Sequence, residues 1–166
     1  MSEEKLTETV MGKSDADSAQ ECTKGENLSE EICRAFDLKP VDPSQYSPLA
    51  LAYMGDNVYE FVSRTYALHK GNRQSEKLHA ECAKRARAGA QAEIAAVLFP
   101  MLSEEEAAVY KRGRNANVYT KAKNASMAEY HEATGLEALI GYLYLRGEYG
   151  RLAALLKAGF EALGLL

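Results

Sequence analysis

Residues 53–60 read YMGDNVYE, inside the longer run LALAYMGDNVYEFVSRTYALHK at 49–70. Leu51, Met54, Val58, Phe61, Val62 and Thr65 recur three to four apart, which predicts an amphipathic helix over about 47–69, ended by Gly71. The centre of that helix carries Gly55, which costs about 1 kcal/mol relative to alanine, and Asp56, a charge beside the apolar stripe. A mid-helix glycine can be a packing contact and an aspartate on such a helix a solvated residue, so the pair raises a question that spacing alone leaves open.

The surrounding chain reads as helical throughout. NLSEEICRAFDL predicts a short helix with Ser29 as a possible cap, and KPVDPSQYSP holds three of the four prolines and reads as a connector. A helix opens near Asn72–Ser75 and runs through Leu78, Cys82 and Arg85; another covers AGAQAEIAAVLFPML and stops near Pro100. Ser103 followed by three glutamates is an N-terminal cap with acids on the first turn, opening SEEEAAVYKRGR. Further helices are predicted from Ser126 or Met127 to about Arg146 and from Glu148 to Leu163. No alternating strand pattern and no internal repeat occur, so the expected fold class is all-α.

Bulk properties narrow the class. A chain of 166 residues, 46% of them apolar, can bury one substantial core. No apolar run approaches the ~20 residues of a membrane span, and no secretory signal is visible. Cys22, Cys33 and Cys82 are scattered and odd in number, with no C-x-x-C pair. A reducing cytoplasm fits. The net charge of −4 is unevenly spread: residues 1–46 carry net −6 and residues 47–166 net +2. Residues 1–27, polar and without apolar periodicity, are expected to form a disordered acidic tail, and 28–166 the folded domain.

Three carboxylates stand out. Asp56 is the first. Glu137 lies in HEATGLEALIGYLYL among Leu136, Leu139, Ile140 and Leu143, with small Gly135, Ala138 and Gly141 beside it. A carboxylate in such company borders a groove or pairs with a cation. Glu76 opens SEKLHAECAKRAR, where it would also favour its helix N-terminus. Each alone is ordinarily a solvated helix residue, and their convergence is not readable from spacing. His79 and Cys82, three apart, would make half a zinc site, but no second pair matches them. KRGRNANVYTKAK at 111–123 has five basic residues and no acid, either a solvated helix end and loop or a phosphate-binding surface.

YMGDNVYEF resembles the signature helix of the ribonuclease III family, E-R-L-E-F-L-G-D-[SA]-V-L. LEALIGYLYL resembles that family's second catalytic helix, D-x-x-E-A-L-I-G-A-x-Y-L. KGNRQSEKLH, KRGRNAN and YHEATGLEALIGYLYL resemble the compact Mini-ribonuclease III subfamily, which lacks the double-stranded-RNA-binding domain into which most family members continue. The likeness spans about residues 46–163. It implies a Mg²⁺-dependent endoribonuclease with Asp56 and Glu137 as catalytic metal ligands and Glu76 as a further one, the last by an ungapped count through a variable stretch. It also implies a homodimer joined through the signature helices, double-stranded RNA as substrate, and a role in trimming a paired stem of the large-subunit (23S) ribosomal RNA precursor. Arg73, Gln74, Lys77, Lys111, Arg112, Arg114, Asn115, Lys121, Lys123 and Asn124 are then the expected RNA contacts, with Asn72, Lys84, Arg85 and Arg87 near them. Tyr53, Met54 and Phe61 serve either core or dimer interface.

Two departures qualify the likeness. Where the family has glutamate four residues before Asp56, this chain has Ala52; where it has aspartate three before Glu137, it has Thr134. One helical turn separates each pair, so both missing acids would have pointed into the same site. Mg²⁺ needs only one or two carboxylates plus substrate phosphates, so the reduced set suffices. The alternatives are a catalytically inactive double-stranded-RNA-binding module, which these losses would favour, and a helical scaffold with no RNA role.

Overall fold

The computed structural model describes residues 28–117 and 126–166. Among them are seven α-helices and no strand: α1 Leu28–Ala35, α2 Pro48–His69, α3 Ser75–Ala86, α4 Ala88–Leu98, α5 Glu104–Arg114, α6 Met127–Leu145 and α7 Tyr149–Ala162. Single 3₁₀ turns at Pro43–Gln45 and Phe99–Met101 serve as connectors. The chain divides into two compact units, Met1–Pro40 and Val41–Leu166. α1 belongs to the first. It buries no residue and begins at Leu28, so Ser29 lies inside the helix instead of capping it. Asp37 ends it with φ 50°, and the Leu38 N–H returns to the Cys33 carbonyl. The expected acidic tail lies outside the described residues.

The second unit is organised around α6. Ten of its nineteen residues are buried, and α2, α4, α5 and α7 all pack against it. A helix apolar on every side is the mark of a central element. A capping box starts it: Ser126 Oγ accepts from the Glu129 N–H, and Glu129 Oε2 accepts from the Ser126 N–H. Gly147, at φ 73°, stops it, with the Glu148 N–H bonded to the Leu143 carbonyl. α5 begins with the same device, between Ser103 and Glu106. Ser47 caps α2, with Pro48 as its first residue.

Gly55 finds its explanation where α2 crosses α6. A Cβ on Gly55 would lie 1.7 Å from the Glu137 carbonyl oxygen, and one on Gly141 would lie 2.0 Å from the Leu51 carbonyl oxygen. The two backbones touch, and no larger residue fits on either side. The buried row of α2 follows from this contact: Leu51, Ala52, Gly55, Val58, Tyr59, Ser63 and Ala67. Phe61, expected in the apolar stripe, is instead 64% exposed, and Tyr53 is 78% exposed.

Arg85 carries its charge into the core, where it is 1% exposed. Its guanidinium donates to the Leu165 carbonyl at 2.7 and 3.0 Å, to Glu81 at 2.8 Å and to Ser63 Oγ at 3.4 Å, and it stacks on Tyr66 and Phe160. The expectation that Arg85 joins a basic RNA-facing cluster is thereby corrected: it is a buried tie between α3, α2 and the chain end. A helix's charge pattern does not tell which of its cations point inward.

Candidate active site

The Gly55–Gly141 contact decides where the carboxylates fall. Asp56 is the next residue along α2, and Glu137 is the residue whose carbonyl Gly55 touches. Both line one cleft of about 350 Å³, together with Leu49, Ala52, Tyr53, Tyr130 and Thr134. Tyr130, Thr134 and Glu137 succeed one another along one face of α6. Ala52 and Thr134 stand in this cleft, as the spacing predicted for the two substituted acids. The Thr134 hydroxyl donates to the Tyr130 carbonyl at 2.9 Å, so its proton is turned back into its own helix.

The two carboxylates differ in setting. Asp56 is exposed, and partial burial with the nearby Glu60 charge raises its pKa. Glu137 is half-buried, and its pKa is raised to about 7, by desolvation first and the Asp56 charge second; a hydrogen bond from Gln91 acts against both. An acid in this position holds its charge poorly without a cation. Two oxygen-donor side chains facing one cleft suit a hard divalent ion such as Mg²⁺, which takes one or two carboxylates and completes its shell with water and substrate oxygens. The donor set fits that ion. Among the described residues no group of three or more His, Cys, Asp and Glu could hold a metal, so the site rests on this pair.

The remaining expected site residues are dispersed. Glu76 is exposed on the first turn of α3 and is not among the cleft residues. Gln74 is the residue preceding α3 and is exposed. Arg73 is committed elsewhere: it donates to Glu81 at 2.6 Å and to the Ala67 carbonyl at 2.8 Å. Lys77 and Lys84 lie exposed beside it in an open groove of about 430 Å³, shared with Lys70 and Glu81. At the end of α5, Lys111 and Arg112 are exposed, Arg114 is half-buried 3.8 Å from Glu132, and Asn115 is the C-cap. Arg112 donates to the Tyr46 carbonyl at 3.0 Å. Lys121, Lys123 and Asn124 lie outside the described residues. His79 and Cys82 share a small, mostly apolar pocket between α2 and α3.

A model of the ribonuclease III domain matches residues 49–148. The chain belongs to the ribonuclease III family. Its catalytic type is accordingly that of an endoribonuclease, and the helices matched include every residue of the carboxylate cleft. Among curated relatives, the Mini-ribonuclease 3 of Brevibacillus brevis is 43% identical over 119 residues, covering 72% of this chain and 89% of that protein. The Mini-ribonuclease 3 of Clostridium tetani is 45% identical over 117 residues, covering 70% and 78%. A crystal structure of a Fusobacterium nucleatum protein superposes with a TM-score of 0.66 at 30% identity, over 71% of this chain and 91% of that one. These likenesses bear out the all-helical ribonuclease III fold and the compact subfamily.

Gln91 escaped the sequence reading. It is 3% exposed on α4, and its amide is one of the groups that act on the Glu137 pKa, lowering it. In AGAQAEIAAVL one glutamine among alanines looks like ordinary surface polarity, and only its place on the Ile94–Leu98 face hinted at burial.

Proposed function

We propose that this protein is a Mg²⁺-dependent endonuclease of double-stranded RNA, acting as a homodimer on a paired stem of the large-subunit ribosomal RNA precursor. The observation that carries the chemistry is the shared cleft of Asp56 and Glu137, the second of which holds its charge poorly unless a cation lies beside it. The two carboxylates would hold the ion. When bound, such an ion lowers the pKa of water and offsets charge on the departing oxygen of a phosphodiester. The protein's own part is placement. Gly55 and Gly141 fix the α2–α6 distance, and with it the gap between the carboxylates. Tyr53 and Tyr130 line the same cleft. Glu76, outside this cleft in a single chain, remains a candidate for a further ligand only across a dimer.

RNA would be held by the basic end of α5, Lys111, Arg112, Arg114 and Asn115, extended by Lys121, Lys123 and Asn124, and by Gln74, Lys77 and Lys84 on α3. Arg73 would contribute field more than contact, being tied to Glu81. Such cations set position without reading sequence. Reversing charge at Arg112 and Arg114 together should weaken duplex binding and flatten the dependence of log K on log salt by about two phosphate contacts; an unchanged slope removes that role.

The dimer is supported by the outer face of α2, where Tyr53, Phe61 and Leu68 are exposed large side chains on one helix. A patch of this kind marks an interface. Tyr53 also lines the carboxylate cleft, so a twofold contact along α2 would bring two clefts toward the two strands of one duplex. Among the described residues no helix is long and apolar enough to cross a membrane. A cytoplasmic setting agrees with the free thiols of Cys33 and Cys82.

A second reading has its own observation. Ala52 and Thr134 leave the cleft with two acids fewer than the family signature, which would suit a module that binds duplex RNA without cutting it. Incubating a long double-stranded RNA with the protein, in Mg²⁺ or in EDTA, separates the two. Cuts on both strands that need Mg²⁺ and vanish in Asp56→Asn support the nuclease. Binding without cleavage in any divalent metal supports the module.

A further inference from the structure

A phosphodiester strand entering the carboxylate cleft brings acceptor oxygens, and the cleft has few protons to offer them. Asp56 and Glu137 only accept when ionised. Leu49 and Ala52 have no polar side-chain atom. The Thr134 hydroxyl is already spent on the Tyr130 carbonyl, 2.9 Å away. The remaining hydroxyls lining the cleft belong to Tyr53 and Tyr130. The two differ in how firmly they are held. Tyr53 is 78% exposed, on the outer face of α2 that a dimer would cover. Tyr130 is half-buried on α6, four residues before Thr134 and seven before Glu137. The capping box of Ser126 and Glu129 fixes the turn that carries it, and its own N–H bonds to the Ser126 carbonyl at 3.0 Å.

The proton of Tyr130 is unspent. Among the described residues no group bonds its hydroxyl. The better-buried Tyr59, Tyr110 and Tyr142 each donate theirs within the protein, to the Arg85 carbonyl, to Glu132 and to Glu105. Position tells what the free hydroxyl faces. Glu137 lies about 10 Å farther along the helix axis. Helical side chains lean toward the N-terminus, which carries the Tyr130 ring away from Glu137. The hydroxyl is therefore no ligand of an ion held by Asp56 and Glu137, and it meets a strand to one side of the bond at that ion. Thr134 lies between. Neither it nor Ala52 carries the charge that the family signature places there, so a second phosphate in the cleft is not repelled by those positions.

We propose that Tyr130 is a substrate contact: its hydroxyl donates to a non-bridging oxygen of a phosphate neighbouring the one that is cut, and so sets which bond of the strand meets the carboxylates. The inference rests on the reading of the cleft as the cleavage site. A neutral donor suits this place better than an arginine or lysine would. It binds a phosphate without bringing a fixed positive charge that would compete with the metal for Asp56 and Glu137.

The test uses Tyr130→Phe, which removes the hydroxyl and keeps the ring. Loss of a hydrogen bond to a charged group should lower kcat/KM on a double-stranded RNA by about 10–100-fold. Melting temperature and the Mg²⁺ affinity of RNA-free protein should stay at the wild-type values, because the hydroxyl serves neither the fold nor the ion. Wild-type kcat/KM in Tyr130→Phe overturns the proposal. So does a loss of Mg²⁺ affinity, which would make the tyrosine part of the metal site. A second measurement locates the contact. Duplexes carrying a single methylphosphonate linkage, uncharged and one oxygen short, at successive positions around the cut are given to both proteins. One position beside the scissile linkage should slow the wild type and slow Tyr130→Phe no further. A series that affects both proteins alike at every position overturns the proposal as well. If Asp56→Asn still cleaves, the reading of the cleft itself falls. If Asp56→Asn is inactive and Tyr130→Phe cleaves like the wild type, only the role of Tyr130 falls.

Discussion

Glu81 and Glu137 are both helix-borne glutamates set against the body of the same domain, and they have opposite surroundings. Glu81 is shared by three cations, with Arg73 at 2.6 Å, Arg85 at 2.8 Å and Lys70 at 3.5 Å, and its pKa is lowered to about 2. Glu137 faces another carboxylate and one amide, and its pKa is raised to about 7. Glu81 is complete: its charge is spent on holding the end of the chain and the buried Arg85 in place. Glu137 is incomplete, a half-buried acid whose charge needs a partner that the protein does not itself supply. A structural carboxylate gathers cations, and a functional one is left open to them.

That contrast can be broken at several points. The largest expected effect is on chemistry. Asp56→Asn or Glu137→Gln should abolish cleavage while duplex binding at low salt persists, measured by gel shift beside the cutting assay. Next, Glu81→Gln should act on the fold alone. Removing the partner of a nearly buried arginine costs about 3 kcal/mol, read as a drop in denaturant midpoint, while each folded molecule cleaves at the normal rate. Third, Gly55→Ala or Gly141→Ala forces apart backbones that already touch. A loss of about 1–3 kcal/mol is expected, together with reduced cleavage, because the same contact sets the separation of the carboxylates.

The smallest effect sharpens the comparison most. The Glu137 pKa lies above the ordinary glutamate value of 4.5, so between pH 4.5 and 7 the folded state binds more protons than the unfolded one. The stability this contributes is present at low pH and is lost as pH rises through about 7. Without metal, Glu137→Gln should therefore be more stable than wild type at pH 8, by about 3 kcal/mol, with the advantage gone below pH 4.5. Glu81 has the opposite sign. Its depressed pKa gives stability present above 4.5 and lost as pH falls toward 2. A glutamine at position 137 that destabilises at pH 8 would remove the distinction between the two acids.

Much of this was legible in the chain. The cap at Ser103, the start near Ser126, the stop at Gly71 and the long apolar run of α6 are local chemistry, and local chemistry is written in sequence. Gly55 could be read because it is unfavourable where it stands. Asp56 and Glu137 were legible as candidates through their misfit with apolar neighbours, and Ala52 and Thr134 through helical spacing. What escaped depends on the third dimension. Arg73 and Arg85 look like exposed cations until Glu81 and Leu165 are seen beside them. Phe61 falls on the apolar stripe and stays open between core and interface until the α2–α6 contact leaves it exposed. Gln91 carries only the weak signal of its place on the Ile94–Leu98 face, one glutamine among alanines whose burial shows only in the packed helix.

The central claim is that Asp56 and Glu137 together hold a divalent ion. Soaking a crystal of the protein in Mn²⁺ and collecting at an anomalous wavelength tests it most directly. The account predicts a peak in the α2–α6 cleft within about 2.3 Å of an oxygen of each carboxylate. A peak at other side chains, with that cleft empty in crystals of cleavage-competent protein, would contradict it.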